Sequence, residues 1–223
     1  KNFRYQLSLA YQRSDGQTAV AQEAAYGNRG QTPEDDGLRN TDFNTRLEWH
    51  LNEATRMELF GYFRDSTTDI DEFLYEDPDW QLHQREKGGQ LQLLHRPAGG
   101  DWSMQLSLKH FETERRSQNP RQLPTENLID TRYEGEHQSV EARFSSYAIE
   151  GHDLSVIAGY RRDTLLSSGF SAFGSDFGDF VIEENTDADT SSSSLVLQDQ
   201  WTGTRRESVT GSIRLEDYDD FGS

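Results

Sequence analysis

The chain has 223 residues, a net charge of −18 and no cysteine. The charge excludes nucleic acid as a partner, because phosphates would be repelled. Without thiols there is neither a disulfide framework nor a Cys-based metal site. No run of about 18 apolar residues exists, so no helix can span a bilayer.

Nine strands are predicted, in chain order 3–13, 41–51, 56–65, 86–96, 102–113, 133–146, 154–163, 192–201 and 207–217. The signal is a period of two. Phe3, Tyr5, Leu7, Leu9 and Tyr11 alternate with Arg4, Gln6, Ser8, Ala10 and Gln12. Such alternation places each set on one face of a strand. Phe43, Thr45, Leu47, Trp49 and Leu51 form a second stripe, and Met57, Leu59, Gly61 and Phe63 a third. Trp102, Met104, Leu106, Leu108 and His110 follow, then Leu154, Val156, Ala158 and Tyr160, then Val209, Gly211, Ile213 and Leu215. None of these stripes carries Lys, Arg, Asp or Glu, whereas the opposite faces hold Glu58, Arg64, Lys109, Arg161, Arg214 and Glu216. The strands at 86–96, 133–146 and 192–201 give only partial stripes, such as Leu91 and Leu93 or Val140, Ala142 and Phe144.

Strand lengths near ten residues suit a tilted crossing of a bilayer. Connections alternate in length. Short turns fall at 52–55, 97–101, 148–153 and 202–206, and long loops at 14–40, 66–85, 114–132 and 164–191. Short turns at one end and long loops at the other describe an up-and-down transmembrane β-barrel. Trp49, Trp102 and Trp201 stand beside short turns, where amphipathic rings fit the headgroup level. Nine is an odd number of strands, and open edges are not tolerated in lipid. Residues 1–223 therefore read as an internal segment of one barrel domain, with the remaining strands elsewhere in the parent chain.

Two stretches near the end, Leu195-Val196-Leu197-Gln198-Asp199-Gln200-Trp201 and Gly211-Ser212-Ile213-Arg214-Leu215-Glu216-Asp217-Tyr218-Asp219-Asp220-Phe221-Gly222, resemble the TonB-dependent outer-membrane receptor family. The resemblance implies an all-β, antiparallel transmembrane barrel of about 22 strands filled by a plug domain. The plug is absent from this segment. It also implies the bacterial outer membrane, outer-membrane lipid and lipopolysaccharide around the wall, and the TonB energy-coupling protein as partner of the missing plug.

The loop Ala25-Tyr26-Gly27-Asn28-Arg29-Gly30-Gln31-Thr32-Pro33-Glu34-Asp35-Asp36-Gly37 and the strand end from Gly61 to Asp71 are similar to those of the vitamin B12 (cobalamin) transporters of that family. There, acidic residues of the two loops bind calcium and order them for cobalamin. Carried over, the metal ligands fall on Glu34, Asp36 and Asp71, with Asp77 or Asp79 as a further carboxylate. Glu34 departs from the family's Asp, and the loop is about two residues shorter. Calcium takes six to eight oxygens, and clustered carboxylates on loops supply them. The alternative is a solvated acidic loop.

Other constellations carry less. The six histidines (His50, His83, His95, His110, His137 and His152) have no ligand-type spacing among themselves. The run Ser191 to Ser194 has no nucleophile elbow and reads as a polar strand start. The segment Gly169 to Phe180 is rich in aromatics and glycine and reads as a loop, either ligand-gripping or merely flexible. Nothing points to an enzyme. Three functions follow: a cobalamin transporter with calcium-ordered loops, a receptor of the same architecture for another ligand such as a ferric siderophore, or a soluble secreted β-rich binding domain that buries its stripes in a core.

Overall fold

The computed structural model describes residues 2–15, 37–70, 80–120, 128–173, 180–203 and 207–219. These form one antiparallel sheet in sequence order, with no helix among the described residues. Its strands are β1 (Phe3–Ser14), β2 (Leu38–His50), β3 (Thr55–Asp69), β4 (Gln81–His95), β5 (Trp102–Asn119), β6 (Leu128–Ser146), β7 (His152–Phe173), β8 (Phe180–Thr202) and β9 (Ser208–Asp219). The fold class is all-β, up and down, as the alternation predicts. The expected short turns at 52–55, 97–101 and 148–153 are present, while 204–206 of the fourth lie outside the described residues. Gly99 and Gly151 adopt φ of 68° and 77°, which L side chains rarely do, and each closes a hairpin at that end.

The strands are longer than predicted at the opposite end. β4 begins at Gln81 instead of 86, β6 at Leu128 instead of 133, and β7 runs to Phe173 instead of 163. β8 begins at Phe180, so Ser191 to Ser194 lies inside a strand and not at its start. Most of the predicted 164–191 loop is likewise strand, with Gly169 in β7 and Phe180 opening β8. Leu51, predicted as strand, belongs to the turn. The cause is chemical: beyond the apolar stripes charged and hydroxyl residues occupy both faces, and where apolar residues return, as at Leu165–Leu166 and Val181–Ile182, they are adjacent instead of alternating. Hydrophobic alternation then disappears while backbone pairing continues.

The register carries every predicted stripe to one side. A single row of direct cross-strand partners reads Phe3, Trp49, Met57, Leu93, Leu106, Ala142, Ala158, Leu195 and Leu215. This row connects all nine strands without a polar residue. The partial stripes Leu91–Leu93 and Val140–Ala142–Phe144 lie on the same side. No second sheet covers it: among the described residues the only buried hydrophobic side chain is Ala172, and Leu7, Leu59, Leu108, Val156 and Ile213 are exposed.

The apolar band does not run along the rows. Phe3 is the lowest member of the band on β1, whose top is Tyr11, yet the same row meets β9 at the band's top, Leu215. The band thus descends eight residues (Phe3 to Tyr11) over the eight steps from β1 to β9. One residue of about 3.4 Å per strand spacing of about 4.8 Å makes a slope of about 35°. That matches the tilt of strands in closed barrels, about 35–45°. Measured across this slope, eight residues give a band about 22 Å tall, close to the lipid-facing band of outer-membrane barrels at about 25 Å.

The same offset levels the tryptophans. Trp49, Trp102 and Trp201 occupy different rows, but after one residue of offset per strand they fall within about one residue of a common height. One acid interrupts the lower band. Asp199 faces outward two residues from Trp201, and its carboxylate meets His152 Nδ1 at 2.9 Å.

Candidate functional site

The carboxylates singled out for calcium, Glu34, Asp36 and Asp71, lie outside the described residues, as do Asp77 and Asp79. The stems that carry the first three are neighbours. The amide of Asp69 donates to the carbonyl of Gly37 at 2.9 Å, so the segments bearing Asp36 and Asp71 leave adjacent strands side by side. An oxygen-only donor set is chemically suited to a hard cation. Among the described residues, no group of three His, Asp or Glu is placed to hold a metal. All six histidines have a polar neighbour: Glu48 for His50, Asp65 for His83, Thr55 for His95, Glu112 for His110, Asp163 for His137 and Asp199 for His152.

The face opposite the apolar band divides into three zones. Over β1 to β3 it is a lattice of ion pairs: Arg46 with Glu58 at 2.9 Å, Arg56 with Glu58 at 3.0 Å and Arg64 with Asp42 at 2.7 Å. Over β5 to β9 the floor is small. Ser107, Ser145, Ser155 and Ser192 are buried beneath longer neighbours, and Ser145 and Ser155 share a hydrogen bond of 2.7 Å. Lys109, Arg161 and Arg214 rise around this floor and line a hollow of about 210 Å³. Arg161 pairs with Asp163 and Arg214 with Glu216, while Lys109 has no ion pair among the described residues.

Between these zones runs an aromatic strip that the stripe pattern hides. Phe60 and Tyr62 have ring centroids 6.1 Å apart, Tyr62 and Phe111 5.9 Å, and Phe111 and His137 6.1 Å. All four point away from the apolar band, since Phe60 and Tyr62 alternate with Leu59, Gly61 and Phe63. Asp163 Oδ1 lies 2.6 Å from His137 Nδ1 and holds the imidazole in orientation. Tyr62, Phe111, Tyr133, His137 and Leu165 line a hollow of about 620 Å³. Gly88 makes the strip possible. A Cβ there would fall 2.3 Å from Phe111 Cδ1 and 2.7 Å from the His110 carbonyl, so the Phe111 ring lies across bare backbone. Sequence reasoning passed over this strip. Its signal was an aromatic at three positions, Phe60, Tyr62 and Phe111, where the alternation calls for polar residues.

No protein-family model and no curated protein matches the chain. Solved structures do. BauA, the ferric preacinetobactin receptor from Acinetobacter baumannii, superposes with a TM-score of 0.72 over 97% of this chain and 37% of its own, at 13% identity. The ferric citrate transporter FecA in its unliganded form gives 0.66 over 96% of this chain and 32% of its own, at 14% identity. The ferric yersiniabactin uptake receptor FyuA from Yersinia pestis gives 0.61 over 97% and 38%, at 12% identity. At such identities the likeness establishes the fold, a stretch of large antiparallel barrel wall. The chain spans about a third of the length of these proteins.

Proposed function

We propose that the chain is part of the wall of a TonB-dependent outer-membrane receptor that takes up a scarce metal chelate. The observation that carries this reading is the level apolar band. Its slope of about one residue per strand, its height and its tryptophan girdle all fit one membrane crossed by tilted strands. The short turns then lie on the periplasmic side and the long connections outside. The wall does no bond-making chemistry. Its opposite face lines the lumen, where the strip Phe60–Tyr62–Phe111–His137 offers flat rings to a ligand. A plug outside this segment would complete the site and engage TonB.

Two ligand classes have support. The solved neighbours are described as ferric preacinetobactin, ferric citrate and ferric yersiniabactin proteins, which favours a ferric siderophore. The loop resemblance through Glu34, Asp36 and Asp71 favours cobalamin with calcium-ordered loops. Binding to the intact parent protein in outer membranes separates them. A ferric siderophore reading expects saturable binding of an iron chelate that is indifferent to calcium chelation. A cobalamin reading expects tight cyanocobalamin binding that weakens on chelation and again in Asp36→Ala or Asp71→Ala. Failure of a panel of both ligand types to bind would overturn the uptake assignment.

A further inference from the structure

The cations of the inward face fall into two groups. Over β1 to β3, those among the described residues are all engaged. Arg4 meets Glu48 at 3.5 Å, Arg46 meets Glu58 at 2.9 Å, Arg56 meets Glu58 at 3.0 Å and Arg64 meets Asp42 at 2.7 Å. Over β5 and β6 the inward cations are Lys109, Arg115 and Arg143, and none has a carboxylate partner among the described residues. Their direct cross-strand neighbours are Gln90 and Ser139 for Lys109, Gln84 and Tyr133 for Arg115, and Gln105 and Ile157 for Arg143. Glu141 shares their face beside Lys109 and Arg143 and pairs with neither. On the outward side of the same strands the charged rim above the apolar band is paired, Lys87 with Glu112 at 2.7 Å and Arg132 with Glu114 at 3.1 Å.

The three free cations are spread along the strands. Arg115 lies above the upper edge of the apolar band, Lys109 lies six residues below it on β5, and Arg143, opposite Gln105, a further four residues down. At about 3.4 Å per residue the steps are about 20 Å and about 14 Å. The floor beside them is low. Ser107 is buried between Lys109 and Gln105, and the hollow of about 210 Å³ that Lys109 lines is bounded by Ser107, Ser139, Gly159, Ser192 and Ser194. Hydroxyls and a glycine leave room there that longer side chains would fill. A free ammonium or guanidinium in a wet lumen exchanges water for an anionic oxygen through a charge-assisted hydrogen bond. Transit needs stations that bind well enough to draw a solute in and weakly enough to let it leave. Single cations set well apart meet both demands.

We infer that Arg115, Lys109 and Arg143 mark a track down the inward face of β5 and β6 for an anionic chelate, one whose surface carries carboxylate or catecholate oxygens. This rests on the uptake reading and adds to it the sign of the solute and the sector of wall that it follows. Phe111 stands between the first two stations on β5, so the aromatic strip and the track share an entrance. The paired lattice of β1 to β3 offers no such stations, because its cations are already held by carboxylates.

The test uses cells in which the intact parent protein is the sole receptor. The probes are radio-iron complexes of citrate and of a tris-catecholate, both anionic, the cationic ferrioxamine B, and labelled cyanocobalamin. Saturable binding is read on de-energised cells and uptake on energised ones. In Lys109→Gln/Arg143→Gln, uptake of the anionic chelate is expected to fall about tenfold with binding unaltered. Lys109→Arg/Arg143→Lys should restore it, and Arg46→Gln, on the paired side, should leave it unchanged. Unaltered uptake in the double variant would overturn the inference, as would an equal loss in Arg46→Gln or uptake confined to ferrioxamine B or cyanocobalamin. Entry of a large antibiotic that the wild type excludes would also overturn it, by showing that these cations hold the plug. A parent protein that binds none of the probes would remove the uptake reading itself, a separate and recognisable failure.

Discussion

The two faces of these strands use the same backbone ladder for opposite purposes. The outward face is mostly apolar: one row of nine apolar residues runs unbroken from Phe3 to Leu215, and its neighbours form a band of constant height interrupted by few polar groups, Asp199 among them. The inward face is patchy, with an ion-pair lattice, an aromatic strip and a serine floor under three cations. A face that meets a fluid solvent needs only the right average polarity. A face that meets one shaped partner needs particular groups in particular places. Function is therefore sought inside, and the constraint on solvation is read outside.

The sharpest way to break this comparison is to place one cation at the same height on each face. Leu59→Arg, near the middle of the band, should cost about 2–4 kcal/mol, whereas Gln92→Arg, on the inward side at the same height, should be nearly neutral. Denaturant unfolding of the parent protein in lipid vesicles measures both, and equal costs would sink the assignment of faces. Next in size is Gly88→Ala. Its Cβ would collide with the Phe111 ring and with the His110 carbonyl, so overpacking of about 1–3 kcal/mol is expected, relieved only in part in a Gly88→Ala/Phe111→Ala double variant because the carbonyl contact remains. Additive costs would mean that Phe111 does not lie on that glycine. Phe111→Ala alone should weaken binding of the cognate chelate by about tenfold, with little change in unfolding midpoint. Wild-type affinity in that variant would remove the strip from the ligand site. The smallest effect belongs to the exposed rim: Lys87→Gln, which breaks the pair with Glu112, should shift stability by less than about 1 kcal/mol, as read from the same unfolding curves.

The outward face was legible in the sequence because its apolar residues keep a strict period of two. Leu, Val, Met and aromatic residues at every second position and tryptophans beside short turns survive in the register, whereas the long connection expected at 164–191 shrinks to 174–179. The upper strand ends were not legible. Between Leu128 and Arg132, or Phe180 and Thr190, charged and hydroxyl residues occupy both faces, and only hydrogen bonding with a neighbouring strand reveals the pairing. The aromatic strip was obscured for a different reason. Phe60 and Tyr62 interleave with Leu59, Gly61 and Phe63, so the local text is continuously apolar and shows no second face. The acidic loops bearing Glu34, Asp36 and Asp71 were singled out by resemblance, and they lie outside the described residues.

Among the described residues each strand is bonded only to its neighbours in the chain, from β1–β2 through β8–β9. A wall wired in this way has no long-range connections to re-route when its length changes. A hairpin can be duplicated or lost by one local event, and the parity of in and out is preserved because strands enter and leave in pairs. The circumference of such a wall is thus a heritable variable adjustable in steps of two strands. A single-residue insertion within a strand, by contrast, would turn every later side chain of that strand to the wrong solvent. Lineages carrying this architecture should therefore show variation concentrated in loop length and hairpin number, with strand interiors changing by substitution alone.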